Sequence, residues 1–389
     1  MATYEISPAD GAGAKLSRPV ELVCFALLVL NIVYLAAAWA QGSWLIGADG
    51  SKIFNDFVTI WAAGKMALAG QAAQAYDWSQ LKPVDESIVG PVSGYLVWPY
   101  PPTFLLAAAA LALLPYVTAF FVWVFGTFVA YLAIIRAIIG DRVGYVLAAG
   151  FPAVIANALV GQTAFLSAAL IGGALVWMDT QPIWAGVLLG LLTCKPHLGL
   201  LFPIALAASG RWRVFVTAGI VAALLAAISW AVFGSESWLA FAPGIGHSLV
   251  TDGAADWGKM QTASGLVRAL GGGDALAWSA QIGVTVLAAA AVAMVWRSSI
   301  AYEIKAAALG VAALLAAPHL LTYDLVILAV PLAFLFRLGR AHEFLPYETA
   351  GMGLACLLIF IFPFVEAPVG FAAVVVTAAL VANRALRTA

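Results

Sequence analysis

The stretch "VELVCFALLVLNIVYLAAAWAQ", residues 20–41, decides the fold class. It is apolar almost throughout and long enough to cross a bilayer, whose hydrocarbon core needs about 20 apolar residues in a helix. The apolar region of a signal peptide is shorter, about 7–15 residues. Many apolar runs also follow this one. The sequence therefore predicts an uncleaved first membrane span.

Further runs of this kind extend along the whole chain of 389 residues, of which 64% are hydrophobic and 10% charged. A soluble domain carries about 25% charged residues. We therefore predict an all-α polytopic membrane protein. The expected spans are 20–41, 116–138, 144–160, 163–178, 214–233, 277–296, 301–317, 322–338, 348–364 and 368–386.

Two apolar segments fit a simple span less well. Residues 102–114 are short and lie between prolines, and residues 183–208 are interrupted by the sequence Lys195-Pro196-His197. Because a residue before proline avoids the helical conformation, we expect the backbone to break at Lys195. Either segment can then be a half-helix or a re-entrant helix.

Basic residues set the expected orientation, because loops rich in Lys and Arg stay in the cytoplasm. Twelve of the eighteen basic residues can face the cytoplasm together. This arrangement places residues 1–19 and 387–389 in cytoplasmic tails and 20–386 in a single integral membrane domain. It leaves two long loops outside, 42–101 and 234–276, where we expect the chemistry.

Charge and cysteine content exclude several classes. The net charge of −1 gives no general attraction for nucleic acid. Cys24, Cys194 and Cys356 lie in separate apolar segments without metal-ligand spacing. The sequence also has no glycine-rich P-loop, no HExxH motif and no DxD pair. We therefore predict no metal, no cofactor and no nucleic-acid partner.

The first outer loop contains a carboxylate among apolar residues, Asp56 in "SKIFNDFVTIWAAGKMALAGQ", residues 51–71. Phe54, Phe57, Val58 and other apolar residues recur near helical spacing, which favours an amphipathic helix on the membrane surface. Asp56 falls in its first turn. Its spacing fits a helix-capping acid and a functional acid equally well.

An ionisable pair interrupts an apolar run at "LLTCKPHLGLL", residues 191–201. Lys195 and His197 are costly there, and such residues usually face a cavity or a binding site. We favour a functional interpretation, the binding of an anionic group.

Three junctions between apolar runs carry further candidates. "APHLLTYDL" (317–325) contains His319, Tyr323 and Asp324, which fit either a phosphate site or a capped turn. "VWPYPPTFLL" (97–106) contains Tyr100, in either a stiff connector or a pocket wall. "ALVGQTAFL" (158–166) contains Gln162, as either a helix cap or a ligand contact.

The outer loops also contain polar and aromatic residues of a kind that suits sugar binding. His247 and Trp257 in the second loop and Asp77 in the first are candidates to bind an acceptor, but a solvated loop has the same composition.

Five motifs in order give the sequence a family resemblance: "NDFVTIWAAGKMALAGQAAQAYD", "PYPPTFLLAAAALALLP", "LVGQTAFLSAALIGGAL", "AGVLLGLLTCKPHLGLLFP" and "APHLLTYDL". The order resembles glycosyltransferase family 87 over roughly residues 50–340. These are GT-C-type membrane enzymes, typified by polyprenol-phosphate-mannose-dependent α-1,2-mannosyltransferases. The resemblance implies a GT-C-like bundle of about 10–13 transmembrane or re-entrant helices, with amphipathic surface helices in the first outer loop.

The resemblance also implies a reaction. An inverting enzyme would move a sugar, expected to be mannose, from a polyprenyl-phosphate donor to a glycolipid or glycan acceptor, with membrane lipids around it. Asp56 takes the place of the general base. Lys195, His197 and His319 are expected at the donor phosphate, with Gln162, Tyr100, Tyr323 and Asp324 shaping the pocket. The site would face the exterior of a bacterial-type cytoplasmic (inner) membrane.

Two other functional classes share these features. A transporter or flippase of a polar or lipid-linked solute would use the intramembrane Lys195 in a translocation path, although no internal repeat supports one. A membrane glycan polymerase or ligase would share the architecture and the outer-face chemistry.

Overall fold

The computed structural model describes residues 18–91, 98–251, 257–365 and 367–388. These ranges are mostly helical. The α-helices are α1 Arg18–Ala40, α2 Phe57–Leu68, α3 Trp78–Val89, α4 Pro102–Ala112, α5 Tyr116–Ile139, α6 Val143–Ala149, α7 Val154–Val160, α8 Ala164–Trp177, α9 Pro182–Leu191, α10 Pro196–Gly199, α11 Phe202–Ala208, α12 Trp212–Thr251, α13 Ala263–Ala269, α14 Asp274–Arg297, α15 Tyr302–Ala316, α16 Ala329–His342, α17 Glu348–Ile361 and α18 Val369–Thr388.

Shorter elements connect these helices. Two strands of two residues, β1 (Ser43–Trp44) and β2 (Ile46–Gly47), pair antiparallel after α1. Short 3₁₀ helices occupy Gln74–Tyr76, Leu192–Cys194, Trp257–Lys259, Thr322–Leu328 and Phe362–Phe364.

Six helical segments in the described ranges are long and apolar enough to cross a membrane. A seventh is possible if α6 and α7, which meet at 61°, form one bent span. The prediction of an all-α polytopic membrane protein is confirmed. The six are Leu22–Ala40, Tyr116–Ile139, Trp212–Pro243, Asp274–Arg297, Thr322–His342 and Val369–Thr388.

The other predicted spans are helical but shorter. Residues 163–178, 301–317 and 348–364 contain α8, α15 and α17, with 14, 15 and 14 residues. The interrupted segment 183–208 contains α9, a 3₁₀ turn, α10 and α11. Lys195 has φ −131° and ψ 76°, so the predicted break in the helix lies at this residue.

The segment 42–101, which we predicted to be the first outer loop, departs from the prediction at α2. We expected this helix to lie on the membrane surface, but most of its residues are buried, including Phe57 and Val58. It packs against α4 so closely that a Cβ at Gly64 would overlap the carbonyl of Ala108. The amphipathic helix of this loop is instead α3, which buries little besides Leu81 and Asp85.

The second predicted loop, 234–276, contains more helix than expected. Helix α12 extends to Thr251 but is kinked at Gly234, whose φ of 77° and ψ of 168° are not helical, so it consists of two helical parts. The 3₁₀ turn at Trp257–Lys259 and helix α13 follow. Gln261 then ties this region to the protein centre, because its backbone N–H donates to Leu320 O at 2.7 Å.

The centre of the bundle is the segment Thr322–His342, because 78% of an apolar 18-residue stretch within it is buried in the protein, against 6% of such a stretch within Leu22–Ala40. Helix α1 therefore lies at the periphery. The chain just before Thr322, where His319 lies, enters the most enclosed part of the molecule.

Candidate active site

Asp56 lies at the N-terminus of α2, but it does not cap the helix. Its backbone is helical (φ −63°, ψ −24°) and its side chain makes no capping hydrogen bond. Asn55 takes that task, since its Oδ1 accepts from the backbone N–H of Phe57 at 3.0 Å and from the Tyr116 hydroxyl at 3.1 Å. The interpretation of Asp56 as a helix-capping acid is therefore wrong. Its carboxylate is available for another role.

That carboxylate meets Gln162 instead. The Gln162 amide Nε2 donates to Asp56 Oδ2 at 3.1 Å, and the Tyr100 hydroxyl donates to Gln162 Oε1 at 2.5 Å. Both partners are buried, Gln162 with 8% and Tyr100 with 5% of its surface exposed. Two of the predicted pocket residues thus contact the predicted base, directly or through one side chain.

The position of Gln162 depends on the glycine before it. Gly161 ends α7 in the left-handed region, with φ 71°. A Cβ there would lie 2.7 Å from the Phe120 ring and 2.8 Å from Phe57 Cβ. Trp123 Nε1 holds the turn by donating to Gly161 O at 3.0 Å. Only glycine combines this conformation with this packing.

A buried ion pair forms the second half of the site. Lys195 Nζ lies 2.6 Å from Asp324 Oδ1, and the two residues are 6% and 1% exposed. The other oxygen of Asp324 accepts from the Leu321 N–H at 3.2 Å. The Lys195 ammonium also lies 5.5 Å from the centre of the Tyr323 ring. The break at Lys195 places its side chain against the start of the central segment.

The two halves are close enough to act on each other electrostatically. Burial raises the pKa of the Asp56 carboxyl, while the hydrogen bond from Gln162 and the Lys195 ammonium act in the opposite direction. Burial also raises the pKa of Tyr100, to about 12, so its hydroxyl stays protonated. Lys259, from the segment 234–276, adds positive charge near Asp56.

His319 lies in the same electrostatic environment and is a neutral imidazole at pH 7. Burial lowers its pKa to about 4, and the nearby Lys195 acts in the same direction while Asp324 opposes it. Its Nδ1 is buried and has no hydrogen-bond partner among the described residues. His197, in α10, lies within electrostatic range of Lys195 and His319. The site therefore combines the Asp56 carboxyl with the Lys195 ammonium, and two half-buried imidazoles lie within electrostatic range of that ammonium.

The predicted acceptor residues lie elsewhere or are engaged in other contacts. Asp77 is exposed and caps α3, accepting from Ser79 N at 2.9 Å. The Trp257 ring stacks 4.6 Å from the Arg268 guanidinium. The side chain of His247 lies outside the described residues.

Three residues of the site were not among the site residues predicted from the sequence. Asn55 caps α2, the Thr163 N–H donates to Gln162 Oε1 at 3.4 Å, and Lys259 approaches Asp56. Of these three residues, only Asn55 could have been found from the sequence. Asn and Asp are both good N-cap residues, so when they are adjacent one of them can cap the helix and the other is left for a different role.

Most of the residues of this site lie in a region that matches a known protein family. The family model for glycosyltransferase family 87 matches residues 98–321, more than half of the chain. The chain belongs to glycosyltransferase family 87. The matched region of this family 87 chain includes Tyr100, Gln162, Lys195 and His319, whereas Asp56 precedes it. No curated protein and no solved structure matches the chain.

The described residues contain no group of three or more His, Cys, Asp and Glu side chains that could hold a metal ion. What the site does offer is a carboxylate, an ammonium group and neutral hydrogen-bonding groups. These are the elements of proton transfer next to an anionic ligand.

Proposed function

We propose that this family 87 protein is an inverting glycosyltransferase that uses a polyprenyl-phosphate sugar, with mannose as the sugar. The acceptor would be a hydroxyl of a glycolipid or glycan on the extracytoplasmic side. The observation that carries the proposal is the Asp56 carboxylate, which leaves helix capping to Asn55 and is held by Gln162 beside Lys195.

The reaction requires one proton transfer and one departing anion. The acceptor oxygen forms a bond to the anomeric carbon while the bond from that carbon to the phosphate oxygen breaks. The phosphate leaves with the electron pair, and the hydroxyl proton passes to Asp56. A single base suits this one-step displacement with inversion. A two-step route with retention would need a second carboxyl about 5–5.5 Å away. Asp324, the acid that acts on Asp56, is already bound to Lys195 and Leu321.

The developing charge on the phosphate needs a positive or hydrogen-bonding environment. Lys195 supplies the ammonium, and its ion pair with Asp324 fixes its position while leaving N–H groups free to donate. The Nδ1 of His319, which has no hydrogen-bond partner in the described part of the chain, can donate a hydrogen bond to a phosphate oxygen while the imidazole remains neutral. Asp324 is then a residue that positions Lys195, and Tyr323 packs against the same ammonium.

The lipid part of the donor needs access from the bilayer. The helix broken at Lys195 and the short helix α4 both border the site, and interrupted helices of this kind occur where the backbone lines a cavity. In the proposed orientation both termini face the cytoplasm, and Asp56 and Lys259 belong to the two outer loops.

The test uses purified protein and a panel of polyprenyl-phosphate sugars, with release of lipid phosphate and sugar transfer as readouts. Asp56→Asn should lower transfer by about 10²–10⁴-fold, the usual contribution of a general base, while donor binding is kept. Asp49→Asn, an exposed carboxylate of the same loop, is the matched control and should transfer normally. Transfer by Asp56→Asn at the wild-type rate would exclude this carboxylate as the base.

A further inference from the structure

The amide of Gln162 has a fixed orientation. Its Oε1 accepts from two groups, the Thr163 backbone N–H at 3.4 Å and the Tyr100 hydroxyl at 2.5 Å. A backbone N–H can only donate, so the oxygen end of the amide must face Thr163. The NH₂ end is left to face Asp56 Oδ2 at 3.1 Å.

This orientation matters for the charge on Asp56. An ionised carboxylate can only accept hydrogen bonds, so it is matched by the NH₂ end of the amide. The reversed amide would place two acceptor oxygens about as close together. That contact would be relieved only if Asp56 took up a proton. The orientation of Gln162 and the protonation state of Asp56 are therefore coupled.

Tyr100 is held in place to support this orientation. Its ring lies 4.8 Å from that of Phe104 and 5.0 Å from that of Trp98, measured between centres. Its backbone carbonyl accepts from the Tyr76 hydroxyl at 3.0 Å. Pro99 and Pro101 on either side restrict the backbone. The hydroxyl therefore meets Gln162 with little freedom to move away.

We propose that Tyr100 and Gln162 are positioning residues that keep the Asp56 carboxylate ionised, with Tyr100 acting through the orientation of the Gln162 amide. The inference rests on the proposed function of Asp56 as a base, and it assigns these two side chains to the base rather than to the donor. Tyr100 contributes a second donor to Oε1, at a shorter distance than the one from Thr163. Without the Tyr100 hydroxyl, the reversed orientation of the Gln162 amide and the protonated form of Asp56 become more populated.

The protonation of Asp56 can be measured without knowing the substrate. Dicyclohexylcarbodiimide modifies protonated carboxyl groups in apolar surroundings, and mass spectrometry locates the modified residue. The labelling of Asp56 is followed against pH in detergent-purified protein, with Asp56→Asn as the blank. The variants are Tyr100→Phe, Gln162→Leu and the double variant. Tyr131→Phe is the matched control, since it removes another buried hydroxyl whose bond is to Ala148 O.

The expected result is an upward shift of the labelling midpoint of Asp56. Tyr100→Phe should shift it by about half a pH unit to one unit, the change that loss of one hydrogen bond produces. Gln162→Leu should shift it by about one to two units. The double variant should match Gln162→Leu alone, because Tyr100 acts through Gln162. Tyr131→Phe should leave the midpoint unchanged.

Other outcomes overturn the inference. An unchanged midpoint in Tyr100→Phe with a retained thermal transition excludes a role for its hydroxyl, and this holds even if Gln162→Leu does not fold. Additive shifts in the double variant would show that Tyr100 acts independently of Gln162. Neither result depends on sugar transfer by Asp56→Asn, so failure of the proposed function is recognised separately.

Discussion

Asp56 and His319 respond to burial in opposite directions, because a carboxyl is charged when it loses its proton and an imidazole when it gains one. Burial raises the pKa of Asp56 and lowers that of His319 to about 4. Both shifts favour neutral forms. A base must be ionised to accept a proton, so activity should be lost as the pH falls through the pKa of Asp56.

The pH profile of kcat/KM should therefore have a single acid limb from these two residues, and that limb comes from Asp56. Its midpoint should lie above the usual range of an aspartate, and His319 should add no second limb between pH 5 and 8, since it is already neutral there. His319→Gln should weaken donor binding and keep the limb where it is. The measurement is the transfer rate at limiting donor concentration over a pH series. A limb that disappears in His319→Gln would assign it to the imidazole instead.

Asp85 is a buried carboxyl of α3 outside the active site, with 0% exposure and no hydrogen-bond partner for either oxygen among the described residues. Burial and, to a smaller extent, Glu86 raise its pKa to about 7. In the unfolded chain an aspartate titrates near 3.9. Between about pH 4 and pH 7 the folded state thus binds more protons, and stability should fall as the pH rises through this window.

Asp85→Asn should remove this pH dependence. Above pH 7 the variant should be more stable than the wild type, by on the order of 2–4 kcal/mol, and near pH 4 the difference should vanish. Thermal unfolding in detergent at pH 4.5, 6 and 8 measures this. Asp49→Asn, at an exposed carboxylate of the same loop, should show no such gain at pH 8. A destabilised Asp85→Asn at pH 8 would mean that the charged form has a favourable partner.

At the scale of elements, the break in the helix at Lys195 was easier to predict from the sequence than the packing of α2 against α4. Pro196 acts locally, so the break at Lys195 follows from two adjacent residues. The burial of α2 does not follow from neighbouring residues in this way, because its apolar residues suit a membrane surface and the face of α4 equally well. Gly64, which permits the close contact with Ala108, gives no signal without knowledge of its partner.

The contact between α2 and α4 should be sensitive to a single methyl group. In Gly64→Ala the new Cβ would overlap the Ala108 carbonyl, so the helices must separate and Asp56, at the start of α2, must move. We expect a loss of about 1–3 kcal/mol in stability and a larger loss of transfer than of donor binding. Unfolding temperature and steady-state kinetics measure the two effects.

A helical glycine without neighbours provides the control. A Cβ at Gly126, in α5, would meet no atom within 4 Å, so Gly126→Ala should keep both activity and stability. If Gly64→Ala behaved in the same way, the close approach of α2 and α4 would not be needed to place the base.

At the scale of the molecule, the site joins segments that are far apart in the sequence, from Asp56 to Asp324. Most of its residues were predicted individually, because polar groups in apolar runs are conspicuous. The hydrogen bonds from Gln162 to Asp56 and from Lys195 to Asp324 were not, since they join residues 106 and 129 positions apart. Sequence periodicity gives no information about such contacts.

The proposed orientation of the chain across the membrane can be tested with exposed residues on its two sides. Lys65, in α2, and Arg142, before α6, are both exposed, and the orientation places Lys65 outside and Arg142 in the cytoplasm. After Cys24, Cys194 and Cys356 are replaced by serine, a single cysteine is introduced as Lys65→Cys or Arg142→Cys. A membrane-impermeant maleimide added to intact cells should label Lys65→Cys and leave Arg142→Cys unlabelled until the membrane is permeabilised. The reverse pattern would place Asp56 on the cytoplasmic side and would contradict the proposed transfer on the extracytoplasmic side.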